Sequence, residues 1–212
     1  MKKIAIIGAG ELGLQIVNLI NNCIGNYIIV GFFDDFSKEN SLISDNYRIL
    51  GKIKDIENEY SKKTFDETFI AIGYNHMSTR EAIYNKFKNK IPFANLIHKT
   101  AIIDSTAKLG VGIAVYAGSI IDKEVEICDN VLLNIGTIIS HNSIINKHSF
   151  IAPGVNCAGF VSIGEKCFIG INTTIIDNIK ICSNVIIGGG SVIHKNILEQ
   201  GVYVGNPFHE IK

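Results

Sequence analysis

The sequence has no tryptophan, no excess of charge of either sign and no long apolar segment, and each absence narrows the reading. Lys+Arg and Asp+Glu balance at 20 each, and charged residues make up only 19% of the 212. No basic stripe stands out, so the electrostatic footprint of a nucleic-acid binder is missing. Lys2 and Lys3 precede an apolar run that breaks at Gly8. That run is too short for a secretory leader or a membrane span. It reads as the first strand of a cytoplasmic protein. The cysteines (Cys23, Cys128, Cys157, Cys167, Cys182) form no C-x-x-C pair and no cluster with histidine at metal-ligand spacing. They read as buried free thiols in a reducing compartment, and no metal is expected. What is abundant is isoleucine, valine and glycine, a mixture that favours strands and turns.

The chain follows two grammars. Over residues 1–95, strand and helix signals alternate. Apolar Ile4–Ile7 is followed by a glycine turn and a helical stretch around Leu12–Leu19. Strand-like Tyr27–Phe33 ends in Asp34-Asp35, strand-like Thr68–Ile72 ends at Gly73, and Ser78–Lys88 has helical spacing. This order predicts a small Rossmann-like α/β domain with a parallel sheet. The glycines form Gly8-x-Gly10-x-x-Gly13 between a strand and a helix, the setting in which backbone N–H groups bind phosphate. The acid pair about twenty residues on would suit a dinucleotide such as NAD. The domain is too short for two nucleotide-binding halves, so a single nucleotide fits better.

Over residues 96–212 the period becomes six. From Ile97 to Ile193, every sixth residue is Ile, Leu or Val, except Cys157, with no insertion. The residues two positions earlier are mostly small or aliphatic, among them Ala101, Ala107, Val125, Thr137 and Val161. Such a period fits neither a helix nor an ordinary strand. It predicts a parallel β-helix in which three hexads close one coil and the aliphatic residue points inward.

At this point the chain resembles the hexapeptide-repeat acyltransferases, which fold as left-handed β-helices and work as trimers. It is most similar to the branch with a small nucleotide-binding domain in front, which includes the N-acetyltransferases of nucleotide-linked 4-amino sugars and a sialic acid O-acetyltransferase group. The resemblance is carried by IIGAGELG, FFDD, FIAIGYN, NLIHKTAI, NIGTIISHNSII, APGVNCAGFVSIGEKCFIGINTTI, VIIGGGSVI and VYVGNP, nearly the length of the chain. It implies an acetyl-CoA-dependent enzyme of surface-glycan synthesis that acetylates the amino group of a nucleotide-linked 4-amino-6-deoxy sugar. A sugar O-acetyltransferase and a non-catalytic nucleotide-binding scaffold are the alternatives.

The resemblance also implies roles. His141 is the expected general base, since imidazole can take the proton of an attacking amine near neutrality. Many relatives have an acidic residue directly after this histidine. Here it is Asn142, which can orient a ring but brings no charge. Gly159, eighteen residues or one coil after His141, is the expected oxyanion donor through its N–H. Asn134 is expected to meet the sugar. Some relatives have a cofactor-touching histidine where this chain has Phe150, and strict alternation would point His148 to the same side as a substitute. Ile171 and Gly189, within the run Gly188–Gly190, are expected along the pantetheine arm in a groove between subunits, with Val204–Pro207 near the adenine. In the first domain Gly8, Gly10, Glu11 and Gly13 are expected at the diphosphate, Asp34 and Asp35 near base or ribose, and Gly73 and Asn75 in the same crevice. Cys157, as an inward residue, is expected to be inert.

Overall fold

The computed structural model describes residues 1–21, 26–43 and 46–211. The chain divides into two compact units, Met1–Leu96 and Ile97–Lys212. Among the described residues no helix is long and apolar enough to cross a membrane.

The first unit is a five-stranded sheet flanked by helices. Its strands are β1 (Lys2–Ile7), β2 (Tyr27–Phe33), β3 (Leu42–Ile43), β4 (Tyr47–Gly51) and β5 (Glu67–Ile70), in the order β3-β4-β2-β1-β5. Strand β1 lies parallel to both β2 and β5, β2 is parallel to β4, and β3 is antiparallel to β4. Ile4–Ile7 are all fully buried, as a central strand covered on both faces requires. Helix α1 (Glu11–Leu19) turns Gly13, Ile16 and Leu19 inward. The sequence pattern marks no element over residues 36–66, and the structure places there β3, β4 and the short helix α2 (Ile56–Ser61). These pieces carry little pattern of their own and are held by tertiary contacts, such as fully buried Ile49 and Ile56. The third sequence strand also ends earlier than expected, at Ile70.

Helix α3 (Met77–Phe87) buries Arg80, Ile83, Tyr84 and Phe87, a 3–4 spacing that makes one helical stripe. Arg80 is fully buried, and its guanidinium donates to the carbonyls of Ile70 and Ile72 at the end of β5. Burial pulls its pKa down to about 10, which still leaves it charged at neutral pH.

The second unit is a parallel β-helix. Each expected inward position closes a short strand, and strands one coil apart pair in register: Ile121 with Ile139, Ile139 with Cys157, Cys157 with Ile175. The strands stack into three sheets. Sheet A has six strands and contains Ile138–Ile139. Sheet B has five and contains Ile144–Ile145. Sheet C has eight and contains Phe150–Ile151. From Val115 to Ile193 the inward column is buried throughout, and it forms one core with the residues two positions earlier, such as Val125, Val155 and Val161. Hydroxyls at those same positions are satisfied along the coil axis: Thr137 donates to Ser119 and Ser143 to the Ala158 carbonyl.

The corners have their own period. From Gly112 to Gly190 every sixth residue has positive φ. Most are Gly or Asn, the residues that enter the left-handed region most easily. Glu124, His148, Phe160 and Lys166 are the exceptions, and such a conformation costs a side chain of ordinary shape about 1 kcal/mol. At the C-terminus Gly201–Val204 extends sheet C and pairs antiparallel with His209–Ile211.

Candidate active site

In the first unit a cavity of about 460 Å³ opens at the carboxyl ends of β1, β2 and β5. The chain leaves β1 toward β2 on one side and returns to β5 on the other, so the cavity lies where the strand order reverses, the usual ligand crevice of open α/β sheets. Gly8 has φ +102°, and a Cβ there would sit 2.7 Å from the Ala71 carbonyl oxygen. Gly13 packs helix α1 onto the turn. Gly10, the N-cap of α1, meets neither limit: nothing lies within 4 Å of where its Cβ would be, and with Glu11 it lines the cavity, which places the start of α1 at that cavity.

Of the residues expected here, Gly8, Gly10, Glu11, Asp34, Asp35 and Gly73 line the cavity. Asn75 does not: it lies exposed on the turn Tyr74–His76, and His76 and Thr79 line the cavity instead. Gly13 acts from behind as a packing residue. Asp34 is an internal clamp. One carboxylate oxygen accepts from Ala9 N–H and the other from Phe36 and Ser37 N–H. Burial opposes its ionisation, but these donors prevail and hold its pKa below the usual carboxylate value. Asp35 accepts from Ile53 N–H. Sequence reasoning missed Phe36, which is 98% exposed at the cavity rim.

In the second unit, the centre lies at the corner between sheets A and B. His141 follows Ile139 at that corner and is exposed. One coil on, Gly159 is buried directly against the ring: a Cβ there would lie 2.5 Å from His141 Cε1 and 2.7 Å from Nε2. Among the described residues no group accepts from Gly159 N–H. His141 Nδ1 lies 3.1 Å from Asn142 Oδ1, and the Asn142 amide donates in turn to a Glu124 carboxylate oxygen. The Phe160 ring meets the imidazole edge-on, with centroids 5.1 Å apart at 86°. Glu124 and Phe160 were not singled out from sequence. Both sit eighteen residues from Asn142, so the stacking rule that paired His141 with Gly159 was the signal that finds them.

The remaining expected residues lie elsewhere on the β-helix. Asn134, Ile171 and Gly189 share the corner between sheets C and A, at the opposite edge of sheet A from His141. Asn134 closes its own turn by accepting from Ile135 N–H. Gly189 lies against Ile171, where a Cβ would sit 2.8 Å from Ile171 Cγ2, and Gly188 makes room for Val204. Phe150 belongs to sheet C, where it is buried against the Phe168 ring. Strand alternation does not extend to His148. His148 is a corner residue at φ +65°, not a strand residue, and it is 3% exposed with its ring bonded to Asn130. Cys157 is 2% exposed, and burial pushes its thiol up to about 12. Cys128 and Cys182 are only partly buried, contrary to expectation, and Cys23 lies outside the described residues.

Residues 3–87 match the family described as the PglD N-terminal domain, and residues 160–195 match the bacterial transferase hexapeptide family. The first unit thus matches a PglD-type N-terminal domain, and part of the β-helix matches bacterial transferase hexapeptide repeats. Among solved structures it is similar over its whole length to the acetyltransferase domain of PglB from Neisseria gonorrhoeae, at 27% identity, with 100% of both chains covered and a TM-score of 0.88. The same domain in complex with acetyl coenzyme A matches at 26% identity, 99% of both chains and a TM-score of 0.89. PerB from Caulobacter crescentus, solved with CoA and GDP-perosamine, shares the fold at 22% identity, with 100% and 98% covered and a TM-score of 0.90. A curated relative, UDP-3-O-acylglucosamine N-acyltransferase of Bordetella pertussis, is 31% identical over 103 residues, which span 49% of this chain and 28% of the relative.

Proposed function

We propose that this chain is an acetyl-CoA-dependent N-acetyltransferase whose acceptor is an amino sugar carried on a nucleotide. The observation that carries the reading is the His141 imidazole seated against Gly159, whose N–H has no acceptor among the described residues. A base and a preorganised donor side by side suit acyl transfer. The full-length likeness to the PglB acetyltransferase domain and its acetyl coenzyme A complex supports the same reading.

The residues divide the work as follows. The cavity of the first unit takes the nucleotide, with its phosphates at the open N-terminus of α1 beside Gly10. Acetyl-CoA lies in a groove completed by further copies of the chain, three in all, so that Ile171, Gly189 and Phe150 serve the cofactor from faces that do not share the His141 corner. The acceptor nitrogen attacks the thioester carbonyl. Gly159 N–H receives the developing oxyanion, and His141 Nε2 takes the proton from nitrogen. Collapse breaks the C–S bond, the leaving sulfur gains the proton, and the products are the acetamido sugar and CoA.

Free-thiol release tests this reading. Acetyl-CoA should yield CoA with at least one of the UDP-, dTDP- or GDP-linked 4-amino-6-deoxy sugars, and not with the matching hydroxyl sugars. Release with the hydroxyl sugars alone would overturn the choice of nitrogen as acceptor.

A further inference from the structure

The corner column that holds Asn142 carries two of the large residues forced to positive φ, Glu124 one coil before it and Phe160 one coil after it. Phe160 touches the His141 ring. Glu124 does not touch it, but it binds the group that does. We propose that Glu124 is a positioning residue for the reaction: acting through the Asn142 amide, it fixes the His141 tautomer that leaves Nε2 free to take a proton. This rests on the acetyl-transfer reading above.

Donors and acceptors decide which end of the Asn142 amide meets the ring. The two ends of a side-chain amide are nearly equal in shape, so Asn142 alone could present either oxygen or NH₂ to the imidazole. A carboxylate can only accept. Glu124 therefore takes the NH₂ end, and the Asn142 oxygen is turned to His141 Nδ1 at 3.1 Å. That oxygen needs a hydrogen from Nδ1. A neutral imidazole has only one, so Nε2 is left bare. Nε2 is also on the ring edge that faces Gly159. The carboxylate that is missing directly after the histidine is thus supplied from the preceding coil. Its effect is directional: the Glu124 side chain is 52% exposed and 3.9 Å from the exposed Lys123 ammonium, so solvent and salt screen its charge. Its backbone is held independently, since Glu124 N–H donates to the Thr106 hydroxyl.

The test combines kinetics with ring spectroscopy on the full chain. In Glu124→Gln the side chain can accept or donate, so Asn142 is no longer forced. The expected result is a fall of about tenfold in kcat, with KM for acetyl-CoA and acceptor unchanged, as for an outer residue that orients a reacting one. Asn142→Asp alone sets two carboxylates against each other and should also be impaired. The double variant Glu124→Gln/Asn142→Asp sets a lone carboxylate directly beside the ring and should recover most of the activity, a coupling that a merely structural role would not give. In histidine labelled with ¹⁵N, at about pH 8.5, where an ordinary imidazole is neutral, the wild-type His141 signals should report the Nδ1–H form and Glu124→Gln a mixture. Wild-type kcat and tautomer in Glu124→Gln, alongside an inactive His141→Ala, would overturn the role of Glu124 and leave the acetyl-transfer reading intact. A tautomer shift in Glu124→Gln, found in a protein whose wild type transfers acetyl to no acceptor, would uphold the orientation by Glu124 and overturn that reading.

Discussion

Replacing Gly159 by alanine should separate activity from stability. Its φ is not in the left-handed region, so the backbone accepts alanine without strain. The added Cβ would meet the His141 ring, at 2.5 Å from Cε1, 2.7 Å from Nε2 and 3.1 Å from Nδ1. Carbon contacts this short are repulsive, so something must move. The imidazole is the end of an exposed side chain, and swinging it away is cheaper than shifting the coil. Displacement breaks the hydrogen bond to Asn142 and removes the ring from the Gly159 N–H. Losing a positioned general base lowers turnover by about 10²–10⁴. Folding should be unchanged or improved by about 0.5 kcal/mol, because alanine restricts the unfolded chain more than glycine does. The assay is CoA release with a parallel thermal melt. Gly159→Ala/His141→Ala should be no slower than either single variant, because both remove the same group. Wild-type turnover in Gly159→Ala would refute the packing on which this reasoning rests.

Three other outcomes follow from the two units. Gly8→Val meets both a positive φ and the Ala71 carbonyl, so it should raise KM for the sugar nucleotide and spare acetyl-CoA binding by the second unit, as measured by titration calorimetry. Asp34→Asn turns an NH₂ group toward backbone donors and should destabilise the first unit by about 1 kcal/mol. The folded-state pKa of Asp34 lies below its unfolded value, so the wild-type advantage is full above about pH 4 and disappears as pH falls through the folded pKa; melts of both proteins across pH should converge in acid. Ile145→Ala hollows the inward column at a fully buried position and should cost about 2–5 kcal/mol by chemical denaturation.

The β-helix was legible because its constraint is local and repeats: one inward aliphatic residue per hexad, at a spacing no other element shares. The pairing of His141 with Gly159 followed from that period. Glu124 and Phe160 obeyed the same eighteen-residue rule, but an exposed Glu and an exposed Phe look ordinary in one dimension. Their meaning appears only when positive φ and the contacts across coils are seen together. His148 was misread because alternation was carried past the end of a two-residue strand, whose neighbour is a corner. In the first unit, buried Ile4–Ile7 and the glycine turn could be read directly. Strands β3 and β4 could not, since Leu42–Ile43 is too short to show a period and Tyr47–Gly51 is fixed by its partner β2. The change from Asn75 to His76 and Thr79 has a similar cause: the turn after Gly73 coils into helix α3, and that coiling sets which side chain faces the cavity.

The most direct test of the central claim is the turnover of His141→Ala with acetyl-CoA and an accepted nucleotide-linked amino sugar. A fall in kcat of at least about 10² with unchanged affinity for both substrates is the result expected of a base positioned beside Gly159. Turnover equal to that of the wild type would contradict it.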